Sequence, residues 1–433
     1  MHIDDDPPRA GGPIEGLSAS ELQMFGIGTL FAGIPHSVLG TEPGAPVLGL
    51  GPRFNATNCL SCHAHPAAGG TSPAINPQFA LATAFGAKNK IPFFVTEHGP
   101  IREARFRFNS DGTPDGGVHA IYTITGRQDA LGCNITQPDF DAAAATNNLS
   151  LRIPTPIFGG GLVEMIPDAT ILANKDASLK EKRKLGISGH ENRNGNDGTL
   201  ARFGWKAQNI SLEMFSGEAY NVEQGITNDL FMEERDQTPG CVFNTVPEDI
   251  ARFDAPPPFA GLSAKVAFVQ FSKFLAPPQP APQTPETQRG ATLFNKVGCA
   301  LCHTPQMMTG PSTITAFDQK PVKLFSDLLV HHMGPKLADY VTQGSAGPDE
   351  FRTAPLWGVG QRLFFLHDGR ARDLVEAIQA HASTSEHCGS DPTGTAVGSD
   401  GVACKSEANE VIHRFNKLSS YERGDLVKFL KSL

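Results

Sequence analysis

The sequence predicts a mainly α-helical fold with irregular loops and a few short strands, organised as two units that each carry one copy of the same short motif. Three observations predict it. Capped, apolar-periodic segments recur, as at Ser18-x-x-Glu21 and Ser419-x-x-Glu422. Glycine (45) and proline (34) are abundant enough in 433 residues to favour loops over long regular helices. Finally, Phe54-Asn55-x3-Cys59-x2-Cys62-His63 matches Phe294-Asn295-x3-Cys299-x2-Cys302-His303 position for position, as two copies of one folding unit would.

Taken in order, the first helix starts near Ser18, with Leu17 as a staple and Leu22, Phe25, Leu30 and Phe31 as its apolar stripe. Val118 to Thr125 reads as a strand, bounded by Asp115-Gly116-Gly117 and Gly126. A charged helix is predicted over Asp176 to Leu185, ending near Gly186, and Glu191 to Gly198 reads as a polar loop. The proline-rich run 276–285 is an extended spacer by composition. It divides the chain into 1–275, which holds a large insertion, and 286–433. A helix begins at Glu286 and leads into the second motif. Further on, Asp373-x-x-Glu376 caps a helix whose apolar positions are Leu374, Ala377 and Ile378, and a helix from Tyr421 to Leu433 closes the chain.

Cys-x-x-Cys-His is the attachment pattern of c-type haem. Both thiols add to one porphyrin edge and the next residue, His, lies beneath the iron. A zinc site would need a second ligand pair close by, and neither copy has one. The motifs therefore predict two covalently bound c-type haems, one on Cys59, Cys62 and His63 and one on Cys299, Cys302 and His303, each in a cytochrome c-like domain. His381 falls three residues after Ile378 and seven after Leu374, on the buried helix face, and is the expected sixth ligand of the second haem. His331, His332 and Met333 compete for that role, with His387 behind them. For the first haem, His65 is too close to His63 to reach the opposite face. His98, His119 and Glu164 are the distal candidates, and no His or Met stands in a helical, core-facing position. That favours an open iron.

A net charge of −9 argues against nucleic acid as a partner. No apolar run is long enough for a transmembrane segment. The start, Met1-His2-Ile3-Asp4-Asp5-Asp6, lacks the basic and apolar regions of a signal peptide. Since bacterial haem attachment occurs on the export side, the reading is a mature periplasmic or secreted chain. Four cysteines lie outside the motifs, and an even remainder in an oxidising compartment suggests two disulfides. Of three possible pairings, Cys388–Cys404 with Cys133–Cys241 is the expected one, and free thiols are the alternative. The Asn/Asp/Gly loop 192–198 offers oxygen ligands for calcium but lacks the ordered spacing of a dedicated site.

Longer segments carry a family resemblance: Gly51-Pro52-Arg53-Phe54-Asn55-Ala56-Thr57, His98-Gly99-Pro100, Thr123-Ile124-Thr125-Gly126-Arg127, Gly161-Leu162-Val163-Glu164-Met165-Ile166-Pro167, Arg202-Phe203-Gly204-Trp205-Lys206-Ala207, Phe351-Arg352-Thr353-Ala354-Pro355-Leu356-Trp357-Gly358 and His367-Asp368-Gly369-Arg370-Ala371. Over nearly its whole length the chain resembles the di-haem oxidoreductase family, whose members are regarded as peroxidases and sometimes as thiol oxidoreductases. It is similar, more remotely, to bacterial di-haem cytochrome c peroxidases, to the di-haem enzyme that matures methylamine dehydrogenase, and to rubber oxygenases. The resemblance implies peroxide chemistry at the N-terminal haem and electron entry at the C-terminal haem from a small donor protein of cytochrome or cupredoxin type. It also puts His381 at the position of the sixth ligand. On the distal side it implies a Gln and a Glu. Phe215 stands where the Gln is expected, and Glu223 or Glu218 would be the acid–base group, with Glu164 as a rival. Trp205 or Trp357 would bridge the haems. An electron carrier without substrate chemistry and a di-haem oxygenase acting on an apolar substrate are the alternatives.

Overall fold

Helix capping sets the frame of the structure, a computed structural model that describes residues 10–254, 256, 258–385 and 396–433. Ser18 and Glu21 exchange side-chain and backbone hydrogen bonds to open the helix Ala19–Gly33. Thr284 with Thr287, and Ser419 with Glu422, do the same for Pro285–Val297 and Ser420–Ser432. Ser211 and Ser263 accept backbone N–H groups at the starts of Leu212–Gln224 and Ala264–Phe274. Strands are short. Glu103–Phe106 is the centre of a three-stranded antiparallel sheet, between Val118–His119 and Leu149–Arg152, and Arg53–Phe54 pairs with Tyr122–Thr123. The described residues are thus mainly helical with a few short strands, as expected.

Two helix pairs stand beside the two Cys-x-x-Cys-His motifs, and each crosses at a glycine. Ala19–Gly33 packs on Ala264–Phe274, and Pro285–Val297 on Ser420–Ser432. A Cβ on Gly28 would lie 2.3 Å from the Ala267 carbonyl oxygen, and one on Gly290 would lie 2.1 Å from that of Asp425. Backbone meets backbone at both crossings, which only glycine permits. The close approach also corrects the predicted stripe of the first helix. Its buried face carries Phe25, Ile27, Gly28 and Ala32, while Leu22 and Leu30 turn outward.

The two halves are alike in these helix pairs and not in the Phe-Asn before each motif. Phe54 is in a strand and Asn55 beyond it accepts the Ile121 N–H, whereas Phe294 and Asn295 are inside a helix. Other expectations are also corrected. The strand predicted over Val118 to Thr125 is two dipeptides that pair with different partners. The charged helix is two, Asp168–Asp176 and Leu179–Leu185, broken at Ser178 with its positive φ. Within the 191–198 loop, Asn192–Arg193 pairs with Leu200–Ala201. The Cys133–Cys241 disulfide forms, while Cys388 and His387 lie outside the described residues. No described helix is long and apolar enough to cross a membrane.

Burial couples the two sides of the 276–285 segment. Phe317, Leu324 and Trp357 join Phe158, Phe271 and Phe274 in one core, and Leu185 and Ile187 join Phe294, Phe415 and Phe429 in another. Polar groups tie the same junction. Asp339 accepts from Arg152 Nη2 at 2.6 Å and Nε at 3.1 Å, and its other oxygen lies 3.0 Å from Lys206 Nζ. All three side chains are buried. Lys206 also donates to the Gly347 and Glu350 carbonyls.

Two stability predictions follow from these contacts. Gly290→Ala is expected to cost about 1–3 kcal/mol by overpacking, read as a lower urea midpoint. Asp339→Asn leaves two buried cations without their counter-charge and is expected to cost about 3–5 kcal/mol. Burial opposes ionisation of Asp339, but Arg152 and Lys206 outweigh it and hold its carboxyl well below the ordinary carboxylate range. Its contribution is therefore full above the unfolded pKa of about 3.9 and is lost as pH falls through the depressed native value. Urea midpoints measured from pH 7 downward should converge for wild type and Asp339→Asn only in strong acid.

Candidate cofactor sites

The first motif is opened by Asn58, whose side chain accepts the Ser61 N–H at 2.7 Å and caps the one-turn helix Cys59–Cys62. His63 follows. Its Nδ1–H donates to the Gly70 carbonyl at 3.1 Å, which leaves Nε2 as the free lone pair. Burial holds the ring's pKa below its ordinary value, so it is neutral. These residues line a cavity of about 1170 Å³, counting its open mouth. Glu103 and Arg105 from the three-stranded sheet face it, with Phe215, Tyr220 and Glu223 from the helix Leu212–Gln224. Among the described residues that line it, His63 is the single imidazole and no methionine is present.

The second cavity, of about 1450 Å³ by the same measure, is lined by four imidazoles, of which His303 and His381 face each other, while His367 stacks on Phe351. His303 Nδ1–H donates to the Phe325 carbonyl at 3.0 Å, and His381 Nδ1–H to the Ala377 carbonyl at 2.7 Å. Asp373 caps the Leu374–Ala380 helix, and His381 stands at its end. The ring centres of His303 and His381 are 6.5 Å apart. One metal ion with bonds of about 2 Å to a nitrogen of each ring would fill that gap. Burial brings His303 to about 4 and also lowers His381, so both are neutral donors.

Neither Cys pair is closed as a disulfide. Burial pushes Cys59, Cys62 and Cys299 up to about 12, which makes them neutral thiols and not thiolates poised for exchange.

The rival histidines are engaged elsewhere. His331 is held between Asp327 at 3.0 Å and Glu407 at 2.7 Å. Burial opposes its protonation, but Cys302 and these two carboxylates carry its pKa well above the ordinary value, and an imidazolium has no lone pair for a metal. His332 is bonded to Asp349 and Glu350. Met333 lines the second cavity. His65 donates to the Gln361 carbonyl, His98 is exposed, and His119 pairs with Asp115 while stacking on Phe106. Glu164 accepts the Leu212 N–H at 2.7 Å, at the start of a helix and outside the lining of the first cavity. Glu218 lines that cavity and accepts from Asn209 Nδ2 at 2.5 Å. In the 192–198 loop, Asn194 accepts the Asn196 N–H and Asp197 the Thr199 N–H. Trp205 lines both cavities and donates to the Ile153 carbonyl, whereas Trp357 packs on Gly159 and lines neither.

A family model described as "Di-haem oxidoreductase, putative peroxidase" matches residues 120–393, more than half of the chain. The chain belongs to this family. It is accordingly an oxidoreductase of a family that works with haem. Among solved structures, this di-haem oxidoreductase is similar to the diheme peroxidase BthA of Burkholderia thailandensis at 14% identity, with 99% of this chain and 93% of that one covered and a TM-score of 0.39. A MauG-like protein associated with microbial copper homeostasis follows at 17%, with 65% and 90% covered and a TM-score of 0.31. The Kuenenia stuttgartiensis hydrazine synthase shows 18%, 66%, 73% and 0.32. No curated protein matches the chain.

Residues of this di-haem oxidoreductase that its motifs do not reveal fit a haem in the second cavity. Arg352 and Arg362 line it, and among the described residues neither guanidinium meets a carboxylate. Burial brings both down to about 10, with Arg362 contributing at Arg352. Two desolvated cations on one wall without counter-charge suit a group that brings two carboxylates, as haem does through its propionates. Arg362→Gln is expected to lower the midpoint potential of that haem by roughly 50–100 mV, the scale of one unit charge at an effective dielectric of about 20. Potentiometric titration checks this, and an unmoved potential would put the propionates elsewhere.

Proposed function

We propose that this chain is a periplasmic or secreted di-haem c-type cytochrome oxidoreductase with two cytochrome c-like domains, 1–275 and 286–433. Cys59 and Cys62 would hold one haem covalently with His63 as its ligand. Cys299 and Cys302 would hold the other, ligated by His303 and His381. A small donor protein of cytochrome or cupredoxin type delivers electrons at the second site, and peroxide or another small oxidant reacts at the first. One observation supports this division: of the four imidazoles that line the second cavity those of His303 and His381 face each other, whereas His63 is the single imidazole among the described residues that line the first. Bound haem supplies the redox change and, at the first site, an open coordination position.

The chain's own residues do the rest. The three ligand histidines are oriented by backbone carbonyls, so each presents Nε2. Phe215, stacked on Phe203, gives a bound oxidant no hydrogen bond. Proton transfer then falls to Glu223, whose carboxyl lies in the same wall and is kept protonated by burial and by the neighbouring Glu103. Trp205, shared by both walls, is the protein link between the sites. Phe215 and Phe268 in the same wall would suit an oxygenase acting on an apolar substrate, and turnover of peroxide with reduced donor in the absence of oxygen distinguishes the two.

Electron paramagnetic resonance of the ferric holoprotein is expected to show one low-spin haem and one high-spin haem that responds to peroxide or cyanide. Two low-spin signals would leave only electron transfer. Glu223→Gln is expected to slow peroxide turnover about 10²–10⁴-fold. Unchanged turnover would remove Glu223 from the mechanism.

A further inference from the structure

Glu223 does not face the first cavity alone. Glu103 and Arg105 lie two residues apart on one strand, so their side chains leave the same face. Arg105 Nε donates to Glu103 Oε1 at 2.6 Å, and its Nη1 is anchored on the Gly116 carbonyl at 2.8 Å. The Glu103 and Glu223 carboxyls share the wall of the first cavity and act on each other strongly, and two carboxyls so placed can join by a hydrogen bond only when one of them holds a proton. Glu223 is fixed from the other side by Asn55, whose Nδ2 donates to Oε2 at 3.1 Å. Its backbone carbonyl accepts the N–H groups of Asn55 and Ala56. It also sits in the last turn of the helix Leu212–Gln224, where the helix dipole disfavours an anion.

We infer that Glu103 is the positioning partner of Glu223: held ionised by Arg105, it accepts the Glu223 hydroxyl and keeps a single proton stationed on the wall of the first cavity. The chain of groups is guanidinium, carboxylate, carboxylic acid, with the acid nearest the helix end. The significance of that proton for turnover rests on the function proposed above. Other charged or titratable groups that act on the pair are Arg152 and Arg235, Glu218 acts on Arg105, and the thiols Cys59 and Cys62 feel Glu223. The two carboxyls are pushed apart. Burial and then Glu103 raise Glu223 well above the ordinary range. Burial opposes ionisation of Glu103 too, but Arg105, the bond to Glu223 and Arg152 together bring it below. Split carboxyl pairs of this kind separate a proton donor from its anionic partner.

The test uses the holoprotein with both haems and two readouts. Infrared spectroscopy of the wild type should show a protonated-carboxyl band at pH 7 that Glu223→Gln removes. Glu103→Gln deletes the charge that holds the proton on Glu223, so the band should titrate away at a pH lower by about one unit or more. The alkaline limb of peroxide turnover should move by the same amount. Arg105→Gln should move both the opposite way, and Glu103→Asp should return them toward wild type. Wild-type turnover with a band and a limb unmoved by Glu103→Gln overturns the inference. A band that shifts in a protein without peroxide turnover sustains the pair while the functional reading fails. If Glu103→Gln does not fold, the wild-type band decides, because its absence at pH 7 overturns the pair.

Discussion

Arg152 and Lys206, both removed from water, converge on the single carboxylate of Asp339. In a low-dielectric interior such charges interact far more strongly than at a surface, and they are tolerated only when paired and hydrogen-bonded. The cluster joins three segments distant in sequence, and the geometry between the cavities depends on it. Arg152 lines the first cavity. Lys206 follows Trp205, the residue common to both cavity walls, and its ammonium lies over Phe351, which stacks on His367 in the wall of the second cavity. Burial lowers Lys206 to about 8, against the pull of Asp339. A change at Asp339 would therefore be felt in stability and in the relation of the two sites.

The same fold makes two kinds of buried histidine from one side chain. His63, His303 and His381 meet backbone carbonyls, which orient the ring without offering it a negative charge, and burial keeps it neutral. His331, in the wall of the second cavity, meets two carboxylates and becomes a cation. Partner type, more than burial, separates an imidazole with a free lone pair from half of an ion pair. The acid pair of the first cavity follows the same logic, with Arg105 deciding which carboxyl ionises.

Much of this was legible before the fold. The Cys-x-x-Cys-His motifs, the capped helices and the helix face of His381 depend on spacing within a few residues, and local spacing is what a sequence records directly. The Phe-Asn repeat misled, because Phe54 is drawn into a strand by the Tyr122–Thr123 pairing, whereas Phe294 packs on Phe429. The stripe of the first helix was misjudged because side-chain size, not hydrophobicity, decides a crossing where Gly28 touches a backbone carbonyl. Glu164 is resident at a helix start, a role that its neighbours in sequence do not betray.

By itself, the amino-acid order determined the two Cys-x-x-Cys-His motifs and the capped helices that make up most of the regular structure, and it pointed to the Cys133–Cys241 tie that forms. Only the tertiary structure brought Glu103 to Glu223, stood Arg352 and Arg362 together without a counter-charge among the described residues, and chose Trp205 over Trp357 for the shared wall. The physical reason is range. Bonding geometry and helix caps act over three or four residues, whereas the pairing of charges depends on which distant segments exclude water from the same place.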